Sequence, residues 1–466
     1  MGNLTSKFKN IMYRFLPLPY FYGRDFREIF GFLLESQNWS FERLLDYKLA
    51  RLRALVKHAQ HNVPYYRRLF KKMNIDYRDI DNFQAFEQLP ILEKETIQNC
   101  FEDFKADDFE SYQPIKTVTS GTSGSRTTIF RSSYQEAFRQ AVYWRFLHSR
   151  GIAFRDPTAT LTRPLGFDLN SPACELDRID NTLVLNTYYI SKHKFDRILN
   201  PLREFKPRLI WGHPNTLFVL AEHILVNDLP PIETGLVATF GEKMYSPIRE
   251  TLKRALIGEY VEYYGNRENT IAAFSPGNDH FNEVSEYCHL ELQPTTDSNL
   301  IRNHCGAGNL LTTSLHNYAF PLIRYQSEDL VEYCNDPDCR QRSPYFRILG
   351  GKNRDLLLTR KGLILPFFLT NLEKRGFNKI RQYQLEQLDL NNVILRVVVS
   401  PDFKIDSDEK MLLDYTSEAL ANSFKIKVEY HDKIEFTEAG KFRPVISDLA
   451  SAFMEKRLRS GVQQAG

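Results

Sequence analysis

Short apolar runs alternate with amphipathic helical stretches from about Thr117 onward, and few fold classes produce such a pattern. Alternation of this kind is typical of βαβ units, so the sequence predicts an α/β fold with parallel strands. The runs that we interpret as strands are Thr158–Thr162, Leu209–Trp211, Leu236–Phe240 and Val261–Tyr264. The stretches that we interpret as intervening helices are Ser132–His148, Thr216–Val226 and Pro247–Ile257. Three strands end in a glycine, where open α/β sheets carry functional loops: Gly212, Gly241 and Gly265.

The beginning of the chain has a purely helical pattern. Apolar residues at spacings of three and four predict an amphipathic helix from Leu45 to about His61, and Pro64 lies beyond it as a stop signal. Two further helical segments are expected at about 65–73 and 94–99. We therefore interpret residues 1–116 as a helical lead-in to the α/β region.

The last hundred residues form a third pattern. A continuous β-rich run at 393–399 precedes a predicted helix at 409–423 and an alternating strand at 426–430. These elements predict a small α+β unit, joined to the rest through the glycine- and charge-rich segment Gly350–Asp355. We therefore expect a large N-terminal domain at 1–350 and a small, mobile C-terminal domain at 351–466.

Charge and composition exclude several classes of protein. The chain has 466 residues with 61 basic and 58 acidic side chains, and a net charge of +3 does not provide the basic surface of a nucleic-acid binder. It contains neither a run of about 20 apolar residues nor a signal peptide, so we expect no transmembrane segment and a cytoplasmic location. Six scattered cysteines fit reduced thiols. The aromatic, basic segment Ile11–Tyr22 is expected to pack on the main domain, with a membrane surface as the alternative.

Four segments carry residues suited to nucleotide chemistry. Thr117–Thr128 combines hydroxyls with Gly121 and Gly124, which allow backbone N–H groups to converge on an anion, although the Walker ending Gly-Lys-Ser/Thr is absent. Glu262–Asn269 places an aromatic residue and a glycine at a strand end, with a carboxylate three residues later that suits Mg²⁺. The other two are Pro321–Leu330, with an acid suited to ribose hydroxyls, and Phe436–Pro444, with a lysine after a glycine. Each segment alone also fits an ordinary loop or turn.

The order and spacing of these segments carry more information than any one of them. Together they resemble the adenylate-forming superfamily, in particular its phenylacetate–CoA ligase branch and the members of that branch from capsular-polysaccharide loci. The likeness covers about residues 40–450. It includes the segments Val63–Arg67 (VPYYR), Leu89–Lys94 (LPILEK), Thr119–Gly124 (TSGTSG), Pro207–Pro214 (PRLIWGHP), Phe240–Glu242 (FGE), Tyr264–Glu268 (YGNRE), Pro321–Asp329 (PLIRYQSED), Gly351–Asp355 (GKNRD) and Gly440–Arg443 (GKFR).

The resemblance implies a reaction and a role for each matching residue. Family members join a carboxylate to ATP as an acyl-adenylate, release pyrophosphate, and usually transfer the acyl group to a thiol such as coenzyme A. The phosphate loop at Ser120, Gly121, Thr122, Ser123 and Gly124 is expected to bind the β- and γ-phosphates. The adenine would be bordered by Gly241, Glu242, Tyr264 and Gly265, while Asp329 would bind the ribose hydroxyls. Glu268 would bind Mg²⁺, Lys441 would reach the α-phosphate, and Asp355 would be the pivot of the small domain.

The sequence departs from the family pattern in the phosphate loop. The usual lysine beyond the second glycine is missing, and the candidate replacements are Arg126 and Arg131, which keep the charge but change the geometry. Cys334 and Cys339 lie where some relatives have a cysteine-rich loop resembling a zinc site, with His280 and Cys288 as companions. Because a structural zinc needs four N or S ligands, we expect free cysteines here rather than zinc.

Two functions from different classes follow. The first is a carboxylate-activating ligase whose acceptor is coenzyme A, a carrier thiol, or a sugar hydroxyl or amine. The alternative is a non-catalytic nucleotide-binding partner in polysaccharide assembly, which the missing lysine favours. For the acid itself, the expected contacts are Tyr143, Trp144, His213, Pro214 and Asn215. The sequence does not determine which acid is used or how many copies of the chain assemble.

Overall fold

A computed structural model describes most of the chain. The described residues are 22–118, 127–162, 172–191, 194–241, 244, 246–294, 305–334, 345–350, 357–360, 362–364, 379–420, 422–434, 443, 445–450 and 452–453. The fold is mixed α/β, as predicted, with a 12-stranded sheet in the large part and a four-stranded sheet near the C-terminus. No helix within the described residues is long and apolar enough to cross a membrane.

The helical lead-in is confirmed over the described residues. Ser40 caps the second helix by accepting a hydrogen bond from the Arg43 N–H, and Pro64 occupies the first turn of the third, where its missing N–H costs nothing. The first helix has no counterpart among the sequence predictions. Residues 11–21 lie outside the described residues, so the packing of that segment stays a prediction. The helices are α1 (Arg24–Ser36), α2 (Phe41–Asn62), α3 (Pro64–Met73), α4 (Phe83–Glu87) and α5 (Lys94–Asn99).

These helices support the chain just before Asp329. Tyr66 on α3 donates to the Pro321 carbonyl at 3.2 Å, and its hydroxyl accepts from the Ile323 N–H at 3.1 Å. Leu92 forms backbone hydrogen bonds with both Arg324 and Gln326. The VPYYR and LPILEK segments therefore hold the Pro321–Asp329 segment in place, which gives a structural reason for their joint occurrence.

The central part of the chain forms the parallel half of the large sheet. Five strands are mutually parallel in the order β5-β3-β6-β7-β8, with β4 antiparallel at the edge, and a separate hairpin pairs β1 with β2. The strands are β1 (Ile115–Val118), β2 (Thr128–Arg131), β3 (Thr158–Thr162), β4 (Cys174–Asp177), β5 (Thr182–Asn186), β6 (Leu209–Gly212), β7 (Ile232–Phe240) and β8 (Leu256–Gly265). The helices are α6 (Ser133–Ser149), α7 (Tyr188–Ser191), α8 (Asp196–Phe205), α9 (Pro214–Val226) and α10 (Ser246–Ala255).

The predicted strands and helices of this half are present, but β7 begins at Ile232 rather than Leu236 and β8 at Leu256 rather than Val261. Strands β4 and β5 and helix α8 were not predicted. The helix expected over Pro247–Ile257 ends at Ala255, because Leu256 and Ile257 pair with Ile232 and Glu233 on β7 and belong to β8. Backbone pairing across the sheet thus overrides the helical periodicity of the last turn.

Helices cover both faces of this parallel half. Leu209 on β6 packs with Leu147 of α6, whereas the next residue, Ile210, packs with Leu217 of α9 and Leu252 of α10. Successive side chains on a strand point to opposite faces, so both faces are apolar and buried. Helix α6 therefore lies on one face of the parallel half, and α9 and α10 lie on the other.

The antiparallel half of the sheet was not predicted. Its strands continue the sheet beyond β8 in the order β9-β10-β14-β13-β12-β11. They are β9 (Ala272–Ser275), β10 (Phe281–Glu283), β11 (Cys288–Pro294), β12 (Cys305–Ser314), β13 (Tyr325–Cys334) and β14 (Tyr345–Gly350). Phe274, Phe281 and Phe346 from this half pack with Phe138 of α6 in one core cluster, so the same helix also covers these strands.

The C-terminal part has its own core, centred on Leu385, Leu395 and Leu412. Its four-stranded sheet has the order β19-β18-β17-β20, and one hairpin precedes it. The helix expected at 409–423 is present but shorter. The elements are β15 (Leu357–Thr359), β16 (Gly362–Ile364), β17 (Ile380–Gln387), β18 (Asn392–Val399), α11 (Lys410–Ala419), β19 (Lys425–Tyr430) and β20 (Val445–Ile446). The domain boundary at 350/351 stays a prediction.

A buried histidine makes the stability of this fold depend on pH. His316 stacks on Phe138 at 3.8 Å, its Nε2 donates to the Glu286 carbonyl at 2.7 Å, and its Nδ1 is buried without a partner among the described residues. Burial lowers the pKa of His316 to about 3, so the unfolded chain binds a proton that the folded chain does not between pH 6.5 and 3. Stability is therefore lost as the pH falls through 6.5.

We expect His316 to contribute up to about 2 kcal/mol to the loss of unfolding free energy between pH 7 and pH 5. His316→Gln keeps a donor for Glu286 but cannot titrate, so the difference between the two pH values should shrink by that amount. Urea denaturation of both proteins at each pH measures it. An equal pH dependence in the variant would contradict the prediction.

Candidate nucleotide and acid site

The carboxyl ends of β6, β7 and β8 lie side by side, and each is followed by a residue that the sequence singled out. His213 follows β6, Gly241 follows β7, and Gly265 ends β8. The Nδ1 atom of His213 lies 3.1 Å from the Phe240 carbonyl oxygen, and its ring packs on the Phe240 ring at 4.4 Å. Parallel strands bring their carboxyl ends to one edge, and this edge is where open α/β sheets bind ligands.

Gly241 is required at its position by both backbone and space. Its φ is +76°, and a Cβ there would meet Cε1 of His213 at 2.9 Å. The glycine thus permits the close contact between the ends of β6 and β7.

Asp329 is brought to this edge by curvature of the sheet. Three strands separate β8 from β13 in the sheet order, which is about 19 Å in a flat sheet. Nevertheless the Tyr264 hydroxyl on β8 donates a hydrogen bond to Asp329 on β13. Tyr264 packs against Phe281 and Phe346 of the intervening strands, at 5.8 and 5.3 Å between ring centroids. Burial, and secondarily the Asp329 carboxylate, raise the pKa of Tyr264 well above its usual value, so the phenol remains a donor.

Glu268 lies in the loop after β8 and is also paired with a tyrosine. Tyr325 on β13 donates from its hydroxyl to Oε1 of Glu268 at 3.1 Å. The loop is fixed by Asn266, whose Oδ1 accepts from the Thr270 N–H at 2.9 Å. Two tyrosine–carboxylate pairs therefore connect β8 and its loop with β13, and they place both acids at the same edge.

The donor chemistry at Glu268 suits a magnesium ion. Mg²⁺ prefers oxygen ligands and is usually held by one or two carboxylates together with substrate phosphates and water, rather than by an all-protein cage. A single partly buried carboxylate of this kind fits that pattern. Within the described residues there is no group of three or more histidine, cysteine, aspartate or glutamate side chains arranged for a metal.

The N-terminal end of α6 is tied to the Glu268 loop through a charged cluster. Glu136 pairs with Arg131 at 2.8 Å and with Arg139 at 2.5 Å, and accepts from the Asn269 amide at 3.2 Å. Burial alone would raise the pKa of the Glu136 carboxyl, but the two guanidinium groups lower it overall. Arg131, a candidate replacement for the missing phosphate-loop lysine, is thus already paired with a carboxylate.

A cavity of about 300 Å³ lies under α6, on the face of the sheet that this helix covers. Its walls carry the aromatic side chains of Tyr143, Trp144, Trp211 and Tyr263. Tyr143 and Trp211 meet edge to face at 4.9 Å, and Trp211 stacks on Phe240 at 4.7 Å. The predicted acid contacts Tyr143 and Trp144 therefore line a real cavity, and Phe240 connects its wall with His213.

The structure describes some of the other predicted residues and leaves the rest outside the described part of the chain. Pro214 is buried at the start of α9, while the side chains of Asn215 and Cys334 are not described. Cys288, a proposed zinc companion, is a core residue whose thiol donates to the Ala272 carbonyl, and burial raises the pKa of this thiol to about 11. The candidates outside the described residues are Ser120, Gly121, Thr122, Ser123, Gly124, Arg126, Glu242, Cys339, Asp355 and Lys441.

The backbone still constrains two of these segments. Val118 pairs with Thr128 in the β1–β2 hairpin, so the two ends of the phosphate loop segment lie next to each other. Beyond Lys441, the Arg443 carbonyl accepts from the Gln384 amide at 2.9 Å, and β20 pairs with β17.

Three features of this region were missed by the sequence interpretation. They are the Arg131–Glu136–Arg139 cluster, the pairing of Cys305 opposite Cys334 in the β12–β13 register, and Asp180, which lines the cavity. The Cys305–Cys334 pairing and the placement of Asp180 depend on contacts between segments distant in sequence, whereas the charged cluster is local to the start of α6. Only the charge pattern of α6, with a glutamate three residues before an arginine, was visible beforehand.

The chain is similar to a known family model and to known proteins in sequence. Residues 356–448 match the family model described as the CapK C-terminal domain. Protein CapK of Staphylococcus aureus is 22% identical over 431 residues, covering 90% of each chain. Phenylacetate–coenzyme A ligase of Thermus thermophilus is 23% identical over 404 residues, covering 81% of this chain and 86% of the ligase.

A solved structure with a similar fold is 2-hydroxyisobutyryl-CoA ligase in its postadenylation state, in complex with R3-HIB-AMP. Its TM-score is 0.67 at 17% identity, with 89% of this chain and 91% of that chain covered. This similarity covers both the large and the small parts, and it confirms the predicted fold class.

Proposed function

From the premise that this chain is an adenylate-forming, CoA-ligase-like enzyme related to CapK and the phenylacetate–coenzyme A ligases, we propose that it uses ATP to convert a carboxylic acid into an acyl-adenylate. The acyl group is then transferred to a thiol, with coenzyme A as the first candidate. The observation that supports this proposal best is the pair of tyrosine-bound carboxylates, Glu268 and Asp329, beside an aromatic cavity.

The chemistry needs no nucleophile from the protein. The substrate carboxylate attacks the α-phosphorus of ATP, the new C(O)–O–P bond forms, and the bond to the leaving pyrophosphate breaks. The residues act by holding the two reactants in line and by stabilising the negative charge of the phosphoryl oxygens. Bound Mg²⁺ would neutralise charge on the phosphates.

Each residue of the edge has a proposed task. The phosphate loop, Ser120–Gly124, binds the β- and γ-phosphates, and Gly241, Glu242, Tyr264 and Gly265 border the adenine. Asp329 accepts hydrogen bonds from both ribose hydroxyls, while Glu268 holds the magnesium ion. Lys441 is delivered to the α-phosphate when the small domain turns about Asp355. The acid lies in the cavity under α6, with Tyr143 in its wall, and its carboxylate faces His213 and the start of α9, Pro214 and Asn215.

The proposal is tested by acid-dependent exchange of labelled pyrophosphate into ATP. In this assay Asp329→Asn should raise the KM for ATP about 10- to 100-fold, because the ribose hydroxyls lose their hydrogen bonds to a charged carboxylate. Tyr264→Phe is the matched comparison, because it removes the hydroxyl that contacts Asp329 but keeps both the carboxylate and the ring beside the adenine, so the KM should rise much less than in Asp329→Asn. Equal effects of the two variants would assign Asp329 a structural role instead.

A second candidate is a nucleotide-binding protein without catalysis. The absence of the phosphate-loop lysine and the pairing of Arg131 with Glu136 favour it. It predicts ATP binding that depends on Asp329 but no exchange with any acid.

We also propose a place in capsular-polysaccharide biosynthesis, because the similarity to CapK spans 90% of both chains. In that setting the acceptor of the acyl group is a carrier thiol or a sugar hydroxyl or amine. Replacing coenzyme A by such acceptors in the acyl-transfer step tests this role.

A further inference from the structure

Strand β13 contains a bulge at the proposed ribose contact. Its pairing with β12 is regular as far as Gln326 and resumes at Leu330, so residues 327–329 lie opposite the single residue Leu310. A strand advances about 3.3 Å per residue, and three residues here occupy the length that one normally spans, so the chain bends away from the regular strand path. Asp329 is the last residue of this bulge. Bulges often lie next to active sites, where they redirect a side chain.

Both ends of the bulge are fixed by neighbouring segments. The Gln326 N–H donates to the Leu92 carbonyl at 3.0 Å, and its side-chain amide donates to Gln293 on β11 at 2.7 Å. On the other side, Leu330 is buried and pairs with Gly350 on β14. The bulge therefore cannot be relieved by sliding β13 along its neighbours, because the slide would break the pairing on both sides.

A serine hydroxyl bridges the bulge from inside. The Oγ atom of Ser327 donates to the Leu310 carbonyl at 3.0 Å and accepts from the Asp329 N–H at 3.4 Å. One atom thus provides hydrogen bonds where the regular ladder between the strands is interrupted. Because the N–H of Asp329 is held, the direction in which its side chain leaves the backbone is restricted. The carboxylate then meets the Tyr264 hydroxyl, which donates to it.

The orientation of this carboxylate matters for the proposed ribose contact. A carboxylate accepts from two adjacent hydroxyls only when its oxygens face both of them, since hydrogen bonds weaken steeply away from linear geometry. We propose that Ser327 is a positioning residue that gives the nucleotide site its preference for a ribose with both hydroxyls. It acts through Asp329 and does not itself contact the nucleotide. This inference rests on the proposed function for the contact between Asp329 and the ribose.

The test measures nucleotide binding without an acid, so it does not depend on catalysis. The probes are ATP, 2′-deoxy-ATP and 2′,3′-dideoxy-ATP, which differ only in the ribose hydroxyls. Isothermal titration calorimetry with the full-length protein and Mg²⁺ gives the three dissociation constants. We expect the wild type to bind ATP about 10-fold or more tightly than 2′,3′-dideoxy-ATP, with 2′-deoxy-ATP between them, because each missing hydroxyl removes a hydrogen bond to a charged acceptor.

Ser327→Ala should bring the affinity for ATP to within about 3-fold of that for 2′,3′-dideoxy-ATP, because the carboxylate is no longer held in one orientation. The affinity for 2′,3′-dideoxy-ATP should stay at the wild-type value, since this nucleotide has no hydroxyl for Asp329. Ser327→Thr keeps a hydroxyl at the same position and should retain the preference. Ser149→Ala is the matched control, because it removes another serine hydroxyl that donates to a backbone carbonyl, that of Phe146 at 2.7 Å, at the far end of α6.

Loss of the preference in Ser327→Ala and its retention in Ser327→Thr would support the inference. A preference that survives in Ser327→Ala, or that is lost equally in Ser327→Thr, would overturn it. Weaker binding of 2′,3′-dideoxy-ATP by Ser327→Ala would also overturn it, because that result indicates a general distortion of the site.

The same measurements separate this inference from the proposed function. A wild type that binds all three nucleotides equally would overturn the ribose contact assigned to Asp329, and one that binds none of them would overturn the use of ATP. A preference that depends on Ser327, without pyrophosphate exchange by any acid, would support the positioning role and overturn catalysis.

Discussion

Glu268→Gln is expected to lower acid-dependent pyrophosphate exchange by about 100-fold or more, because a neutral amide cannot hold a magnesium ion against the phosphates as a carboxylate does. The loss should appear mainly in kcat and should be partly recovered by raising the Mg²⁺ concentration. The assay is exchange at several Mg²⁺ concentrations with saturating ATP and acid. The hydrogen bond from Tyr325 should survive, since a glutamine carbonyl accepts it equally well.

Tyr325→Phe is the matched control for this experiment. Tyr325 is a buried residue of β13, and phenylalanine fills the same space without the hydroxyl that donates to Glu268. If Glu268 acts through the metal, Tyr325→Phe should have a much smaller effect and an unchanged Mg²⁺ requirement. Similar losses in both variants, with no response to Mg²⁺, would show that Glu268 serves only to anchor its loop.

Four strands of the parallel half were predictable because each contains a short apolar run and the runs are separated by helices. Leu209–Gly212 and the second half of β7, Leu236–Phe240, are largely buried on both faces, so local sequence alone marks them. The antiparallel half was not predictable. Strands such as Tyr325–Cys334 carry charged and polar residues, and their positions are fixed by pairing with partners far away in the chain.

In the candidate site, too, single residues were predictable from short motifs, whereas the contacts between distant segments were not. Tyr264, Glu268 and Asp329 were recognised individually, because each lies in a short motif that resembles one family. The resemblance implied that they meet in one cleft, but not that Tyr264 donates to Asp329, because this hydrogen bond depends on a sheet that curls across three intervening strands. Asp180 carried no local signal, because it is one acid in a turn, and only the folded chain places it beside the cavity.

Both candidate site acids are held by side chains of the protein itself. The tyrosine partners of Glu268 and Asp329 are on β13 and β8, and each strand contributes one tyrosine and, directly or through its loop, one acid. This reciprocal arrangement fixes the distance between the proposed metal and ribose contacts. Preorganised groups of this kind stabilise a transition state without reorganisation during the reaction.

Lys441→Ala is expected to lower pyrophosphate exchange by about 100- to 1,000-fold, the loss typical of removing one preorganised charge from a reacting centre. In the proposed mechanism this ammonium group contacts the α-phosphate and the acid only while the acyl-adenylate forms. ATP binding and the transfer of a preformed acyl-adenylate to coenzyme A should therefore remain close to wild type. Exchange, equilibrium ATP binding and single-turnover transfer measure the three quantities separately.

Lys425→Ala provides the comparison, since it removes an exposed lysine from β19 of the same small sheet. The segment after Lys441 is anchored by the hydrogen bond from the Gln384 amide to the Arg443 carbonyl. Strand β17 of the small sheet also contacts α10, a helix that packs on the large sheet. The lysine is thus attached to a unit that already contacts the large part. If both lysine variants retained exchange, the charge at the α-phosphate would have to come from elsewhere. If Lys441→Ala impaired exchange and transfer equally, the lysine would not be specific to the first half-reaction.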